Sequence, residues 1–297
     1  QKRSDHNVRF QALDFDEASE QVVDELQNVP KSLALHKGVY ERMVKEFNRN
    51  EHIPVTVTTY CESPPGSGLG ASSTLTVALV HAFVELLKLP FGEYDIAQLA
   101  YQIERHDLKL SGGKQDQYAA TFGGFNFMEF YSQDRVIVNP LRIKSSVISE
   151  LEASLVLYYT GMSRDSSNII DQQSENVSNG KTFSIEAMHE VKNEAVTMKE
   201  ALLVGDIQRF ARVMRRGWEA KKKTATKVSN PEIDRIYKLA LETGAYAGKI
   251  SGAGGGGFMM LVANPLDRPN LENHLRQESG TIYRARFAKN GSRSWKI

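Results

Sequence analysis

The sequence predicts an α+β protein of two domains, and three observations carry that prediction. The chain has 297 residues, about the size at which single hydrophobic cores stop growing and chains divide. Its first half interleaves strand-like and helix-like periodicities around a glycine-rich loop. Its second half holds long helical patterns between compact apolar strands and carries a second glycine-rich run.

Each element follows from its own pattern. From Val8 to Phe15, β-forming residues lead into an acidic, amphipathic segment over 17–26, which reads as a strand or hairpin followed by helix or turn. Leu35, Val39, Met43 and Phe47 recur at helical spacing, and Ile53 to Tyr60 then alternates as a strand does. After the loop Pro64 to Ser73, the run Leu75 to Leu87 is apolar almost throughout and stops before Pro90, which predicts a centrally buried helix. A second amphipathic helix is expected over 95–106, then a turn at Ser111-Gly112-Gly113. A short helical piece follows, with an aromatic strand ending at Phe130 after Gly123-Gly124. The second half opens on a strand from Leu155 to Thr160, continues in helices over 183–203, 207–223 and 231–243, and closes on a strand pair over 257–263 and 281–287. A boundary near Glu150 gives domains 1–150 and 151–297.

Composition narrows the function classes. Hydrophobic residues at 41% and charged residues at 25% are those of a folded globular chain and not of a disordered or fibrous one. A net charge of +1, from 37 basic and 36 acidic side chains, supplies no field for gathering nucleic acid or an anionic membrane. The basic run Lys221 to Lys223 is expected on a solvated helix face. The one cysteine, Cys61, can form neither an internal disulfide nor a cysteine metal site alone; it is expected in a buried strand, in a reducing cytoplasm. No apolar run reaches the roughly 20 residues of a membrane helix, and no signal region is visible. The chain opens on Gln1 and not Met, so residues are expected to precede it.

The loop Pro64-Pro65-Gly66-Ser67-Gly68-Leu69-Gly70-Ala71-Ser72-Ser73 joins a strand to a buried helix. Its alternating glycines let backbone N–H groups surround an anion, and the helix N-terminus adds partial positive charge. The hydroxyls of Ser67, Ser72 and Ser73 add donors to phosphate, and one of them can supply an oxygen to Mg2+. The Walker loop does not fit, because Ala71 stands where its lysine would be, and the dinucleotide fingerprint fails because Ser72 occupies its third glycine position. A plain tight turn with a serine cap is the competing reading.

The second cluster runs from Lys249 to Gly257, with five glycines among the six residues from Gly252 to Gly257, immediately before the apolar strand Phe258-Met259-Met260-Leu261-Val262. Elements on both sides argue for ordered backbone packed on a ligand or another loop, not for a linker. Between the clusters lie two carboxylates, Glu104 at a helix end and Asp116 past a glycine turn. A kinase needs one carboxylate for Mg2+ and one for the acceptor hydroxyl. A surface salt bridge for Glu104 and a helix cap for Asp116 are the competing readings.

Together these segments resemble the GHMP kinase family, which includes galactokinase, homoserine kinase, mevalonate kinase and phosphomevalonate kinase. Pro65 to Ser73 is similar to the family's second motif and Lys249 to Gly257 to its third. Gly113-Lys114-Gln115-Asp116-Gln117 is similar to the galactokinase segment whose aspartate is the catalytic base. The resemblance implies a ribosomal-protein-S5-domain-2-like N-terminal domain that binds ATP and a ferredoxin-like C-terminal domain. It implies that Pro65, Gly66, Ser67, Gly68, Leu69, Gly70, Ala71, Ser72 and Ser73 hold ATP with Gly252, Ala253, Gly254 and Gly255. It also implies Ser72 and Glu104 as Mg2+ ligands and Asp116 as base. Lys114 is placed to keep Asp116 ionised or to touch the phosphate.

Within the family, the wording Gly-Gly-Lys-Gln-Asp-Gln-Tyr-Ala-Ala-Thr-Phe-Gly-Gly-Phe-Asn-Phe is most similar to kinases of a phosphorylated heptose, with fucose kinases next. The expected partner is thus a sugar phosphate, with no nucleic acid or membrane, and a homodimer is left open. Arg105, Lys109 and Arg164 are candidate cations for the substrate phosphate, because they lie beside the site segments. The family's first motif, an N-terminal strand and loop that help bind the sugar, is not visible before Val8. Two other classes compete: a sensor that binds ATP and sugar without turnover, and a dinucleotide-dependent dehydrogenase.

Overall fold

The computed structural model describes residues 1–22, 26, 28–64, 66–162 and 166–296. Pro65 and Arg164, both named above, lie outside the described residues. The chain divides into two compact units. One holds Gln1–Pro64, Gly70–Gly124 and Lys289–Ile297; the other holds Pro65–Leu69 and Phe125–Ala288. The expected boundary near Glu150 falls inside the second unit, on a helix over Ser145–Ser154 that carries no strong apolar period in the sequence.

In the first unit, β1 (Asn7–Ala12) pairs antiparallel with β2 (Glu17–Val22) and parallel with β3 (Val55–Thr59). The acidic segment after Phe15 is therefore a strand at its start: its side chains alternate between half-buried and exposed, as on an edge strand. The parallel pair needs a crossover, and α1 (Ala34–Phe47) supplies it. Val8, Phe10 and Ala12 of β1 face a core built with Val39, Tyr40 and Met43 of α1 and Val77, Val80 and Phe83 of α2 (Ala71–Leu87). Each such large apolar side chain contributes about 1.5–3 kcal/mol on burial.

Helix α2 starts four residues before the apolar run that predicts it, because Gly70 caps it at φ +75° and Thr74 N donates to Gly70 O at 2.9 Å. It is not buried on every face: Ser72, Thr74, Ala78 and Ala82 form an exposed stripe of small residues. Helices α3 (Glu93–Gln102) and α4 (Gln115–Phe122) pack against it. Between them, residues Ile103–Asp107 form a π-helical turn, closed by Leu108 N donating to Ile103 O at 2.9 Å. The C-terminal segment returns to this unit, where Ser292 N donates to Ala120 O and Ser292 Oγ pairs with His81 Nδ1 at 3.0 Å. Cys61 lies past the end of β3, half-buried, so the expected buried-strand position is not the one it takes.

The second unit begins with the hairpin β4 (Asn126–Phe130) and β5 (Val136–Pro140), followed by α5 (Ser145–Ser154). Its main sheet has the order β7-β8-β6-β9, antiparallel throughout. The strands are β6 (Leu155–Tyr159), β7 (Ala245–Ile250), β8 (Phe258–Ala263) and β9 (Thr281–Tyr283). The helices α6 (Ser166–Ser178), α7 (Thr182–Val204), α8 (Ile207–Lys222) and α9 (Pro231–Glu242) lie between β6 and β7, and α10 (Arg268–Leu275) between β8 and β9. With α9 and α10 as the crossovers, this is the β-α-β-β-α-β arrangement of the ferredoxin-like fold.

The expected closing strand pair is not one: β6 lies between β8 and β9, because sheet order follows the crossovers and not the chain. Strand β8 is apolar at every position because both faces are covered. Met259 and Leu261 meet Ile233, Ile236 and Leu271 on one side, and Val262 meets Leu202, Phe210 and Met214 on the other.

Candidate active site

In the first unit, the N-terminus of α2 gathers the candidate side chains. Gly70 supplies the turn, and a Cβ there would stand 3.1 Å from Asp116 Cγ and 3.3 Å from Asp116 Oδ1, so the carboxyl group of Asp116 packs directly on the loop's last glycine. Asp116 is half-buried in the first turn of α4, whose cap position is Lys114, so Asp116 is not the helix cap. Gln115 Nε2 donates to Asp116 Oδ1 at 3.3 Å. Lys114 Nζ sits 4.7 Å above the ring of Tyr101.

Of the two adjacent serines, Ser72 is exposed and Ser73 is buried. Successive helical positions point about 100° apart, so a ligand at this N-terminus meets Ser72. Ser73 turns inward to a buried polar cluster: Gln117 Nε2 donates to Ser73 Oγ at 3.0 Å and also to Glu104 Oε2. Glu104 is fully buried and forms no ion pair among the described residues, which removes the surface salt-bridge reading. Its Oε1 has no hydrogen-bond partner among the described residues, nor has Oε1 of Gln117. A buried acceptor left unmet costs about 1–3 kcal/mol, more when charged, so Glu104 is held at a cost to stability. It sits on the π-helical turn, an insertion common at functional sites.

Arg105, expected to receive a substrate phosphate, is already engaged. Its guanidinium donates to the carbonyl oxygens of Gly113 at 3.2 Å, Leu110 at 3.3 Å and Ser111 at 3.4 Å, and so holds the loop that leads to Lys114 and Asp116. Lys109 is exposed in the left-handed region at φ +55°.

In the second unit, the start of the phosphate loop packs on the second glycine cluster, backbone against backbone. A Cβ on Gly68 would lie 2.8 Å from Ser251 O, one on Gly252 2.9 Å from Gly68 O, and one on Gly257 2.3 Å from Ser67 O. Phe258 N donates to Ser67 O at 3.0 Å. Ser67 is buried and its hydroxyl accepts from Leu69 N at 3.4 Å, so it shapes the bend. Gly255 is buried with both backbone groups used, its N–H on Val228 O at 2.8 Å and its carbonyl on Asn230 Nδ2 at 3.3 Å. Gly66, Leu69 and Gly252 are exposed, and Gly68, Ala253 and Gly254 are half-buried.

Two lysines here were not legible as site residues. Lys221, expected on a solvated face, donates Nζ to Gly252 O and ties α8 to the cluster. Lys249 is the penultimate residue of β7, and burial lowers its pKa below the ordinary lysine value. A desolvated lysine at the mouth of a glycine cluster is a functional candidate, and its place directly before Ile250-Ser251-Gly252 was the available signal. Among the described residues, no group of three or more His, Cys, Asp and Glu could hold a metal ion. The unmet Glu104 oxygen and the exposed Ser72 hydroxyl are each a hard oxygen donor of the kind that Mg2+ takes beside phosphates and water.

Comparison with known proteins identifies the family. The model of the GHMP kinases N terminal domain matches residues 34–124, and that of the GHMP kinases C terminal domain matches residues 198–280. The chain is 47% identical over 296 residues to D-glycero-alpha-D-manno-heptose 7-phosphate kinase of Campylobacter jejuni, covering 100% of this chain and 86% of that protein. It is 27% identical to L-fucokinase/L-fucose-1-P guanylyltransferase of Bacteroides fragilis, over 88% of this chain and 27% of that protein. Among solved structures, a D-glycero-D-manno-heptose 1-phosphate kinase from Bacteroides thetaiotaomicron superposes with a TM-score of 0.82 at 38% identity, covering 100% of this chain and 85% of that one. With both family domains matched in order and near-half identity along its whole length, the chain belongs to the GHMP kinase family and is a sugar kinase that uses ATP.

Proposed function

We propose that this enzyme transfers the γ-phosphoryl group of ATP to the anomeric hydroxyl of D-glycero-D-manno-heptose 7-phosphate, giving the 1,7-bisphosphate, on the way to nucleotide-activated heptose in the cytoplasm. The observation that carries the reading is the Asp116 carboxyl group lying against Gly70, where the phosphate loop becomes α2. A base in that place is within reach of an alcohol that attacks a phosphate held at the same helix N-terminus.

In the reaction, the acceptor oxygen forms a bond to the γ-phosphorus while the bond to the β,γ-bridging oxygen breaks, and the hydroxyl proton passes to a carboxylate oxygen of Asp116. In the first unit the N–H groups of the first α2 turn are the proposed phosphate donors, and in the second unit the backbone of Gly66, Gly68, Leu69, Gly252, Ala253 and Gly254 is proposed for ATP. Ser67, Ala71, Ser73 and Gly255 are proposed to shape or flank those segments. Ser72 and Glu104 are the proposed ligands of Mg2+, which supplies neutralisation of phosphate charge when bound. Lys114 keeps Asp116 ionised or touches the transferred phosphate. The proposed functional modules are the ATP-binding part within 1–150 and the C-terminal part within 151–297.

The 47% identical heptose 7-phosphate kinase supports the acceptor. The test is ADP release with Mg-ATP across a panel of D-glycero-D-manno-heptose 7-phosphate, the 1-phosphate, the free heptose and L-fucose. The expected result is the highest kcat/KM for the 7-phosphate, by at least about tenfold. Equal turnover of L-fucose overturns the acceptor assignment, and no ADP with any sugar overturns the placement of the reaction at this site.

A further inference from the structure

In the cluster of Ser73, Gln117 and Glu104, Gln117 has no role in the transfer as written above, yet the construction around it is specific. Three polar side chains, each at most 1% exposed, come from three elements: Ser73 from α2, Glu104 from the π-helical turn and Gln117 from α4. Gln117 has two amide hydrogens. One goes to Ser73 Oγ at 3.0 Å and the other to Glu104 Oε2. Glu104 Oε2 accepts from the Gln117 amide, which sets the amide nitrogen toward Glu104; the flipped amide would set oxygen against oxygen. Glu104 keeps one oxygen bound and one, Oε1, without a partner among the described residues. Gln117 also follows Asp116 directly, so the same anchored side chain fixes the rotation of α4 that lays the Asp116 carboxyl group on Gly70.

We infer that Gln117 is a positioning residue for the metal side of this reaction: its carboxamide ties Glu104 to the N-terminal turn of α2, so that the second oxygen of Glu104 is held ready for the divalent ion. The inference rests on the reading of Glu104 as a metal ligand. It adds the part that the ligand alone cannot supply, since a carboxylate free to rotate in a closed pocket loses the geometry an octahedral ion demands.

The test reads metal uptake without turnover. Mn2+ is titrated, by its EPR signal, into the protein with a non-hydrolysable ATP analogue, for the wild type, Gln117→Met, Ser73→Ala and Glu104→Gln. Gln117→Met keeps the volume and removes both hydrogen bonds. It is expected to weaken Mn2+ uptake about 10–100-fold and to raise the Mg2+ concentration for half-maximal rate, with KM for the sugar unchanged. Ser73→Ala, which leaves the bond to Glu104, is expected to weaken uptake by only about threefold, a smaller loss of the same kind.

If Glu104→Gln leaves Mn2+ uptake at the wild-type value, the metal reading of Glu104 fails and the inference with it. If Glu104→Gln weakens uptake while Gln117→Met lowers only the melting temperature, Gln117 is a structural residue and this inference alone is overturned. Should Gln117→Met not fold, Ser73→Ala decides: unchanged uptake overturns the inference, and weakened uptake with an unchanged melting temperature sustains it.

Discussion

The two ends of the phosphate loop are built on opposite terms. From Gly66 to Leu69 the loop belongs to the second unit and meets Ser251, Gly252 and Gly257 as backbone on backbone, with Phe258 N donating to Ser67 O and no room for a Cβ. From Gly70 onward it belongs to the first unit, where Ser73, Glu104 and Gln117 meet through side chains and two buried oxygens stay unmatched. The first arrangement makes shape, which only glycine permits. The second stores an unmet demand for a cation or a donor, as chemistry-bearing sites do at a cost to the fold. The lesson is that the two ends should fail differently: one by losing the fold, the other by losing the reaction.

The largest effect is expected at the chemical end. Asp116→Asn should lower kcat by about 10²–10⁴-fold, with little change in the affinity for ATP or in the melting temperature, because it keeps the packing on Gly70 and removes the proton acceptor. An unchanged kcat would take the base role from Asp116.

The shape end is broken by Gly257→Ala. At φ +85°, with Ser67 O only 2.3 Å from the new Cβ, the substitution combines a strained backbone with a clash against main chain. A loss of about 3 kcal/mol or more in chemical unfolding is expected. Gly180→Ala is the control: it has a positive φ of +66° and open space around the Cβ, so only the backbone strain of about 1 kcal/mol remains. Equal losses at both positions would mean that close approach is not what the glycine cluster is for.

A smaller effect of opposite sign is expected beside that cluster. Because burial lowers the pKa of Lys249, its charged form is penalised in the folded state, and the penalty is present once pH lies below the ordinary lysine value of 10.5. Lys249→Met should therefore stabilise the protein at neutral pH, with a loss of activity where the lysine serves a ligand. A variant that is less stable than wild type would show that the Lys249 stem, not its charge, sets the balance.

The smallest effect is a pH dependence in the first unit. His36 is buried, bonds Thr59 Oγ1 through Nε2 at 2.9 Å, and leaves Nδ1 unmatched. Burial lowers its pKa below 6.5, so the unfolded chain takes up a proton there before the folded one does. Stability should fall as pH drops from about 6.5 toward the folded-state pKa, and His36→Gln should flatten that part of the curve in thermal melts. An identical slope in the variant would assign the acid loss to other groups.

Much of this was legible along the chain. Periodicity located α1, α2, α7, α8, α9, β3, β6 and β8 to within a few residues, since each buries one face or, for β8, both. The two glycine clusters were legible because so costly a composition needs a close approach somewhere. Which backbone approaches, Ser67 to Gly257 and Gly68 to Gly252, was not, because the partners are nearly 190 residues apart. Arg105 and Lys221 were misread for the same reason: a cation's neighbours in sequence do not reveal which carbonyl oxygens it will meet.

By itself the sequence determined the family, the order of the motifs and the residue types on which phosphoryl transfer depends, because local spacing sets where a helix begins and which backbone can bend. Only the tertiary structure decided that Ser73 turns inward while Ser72 faces out, that Glu104 is buried with no ion pair among the described residues, and that Gln117 joins Ser73 to Glu104. Those facts depend on how three helical elements pack, and packing is a property of faces that meet across the fold rather than of neighbours along the chain.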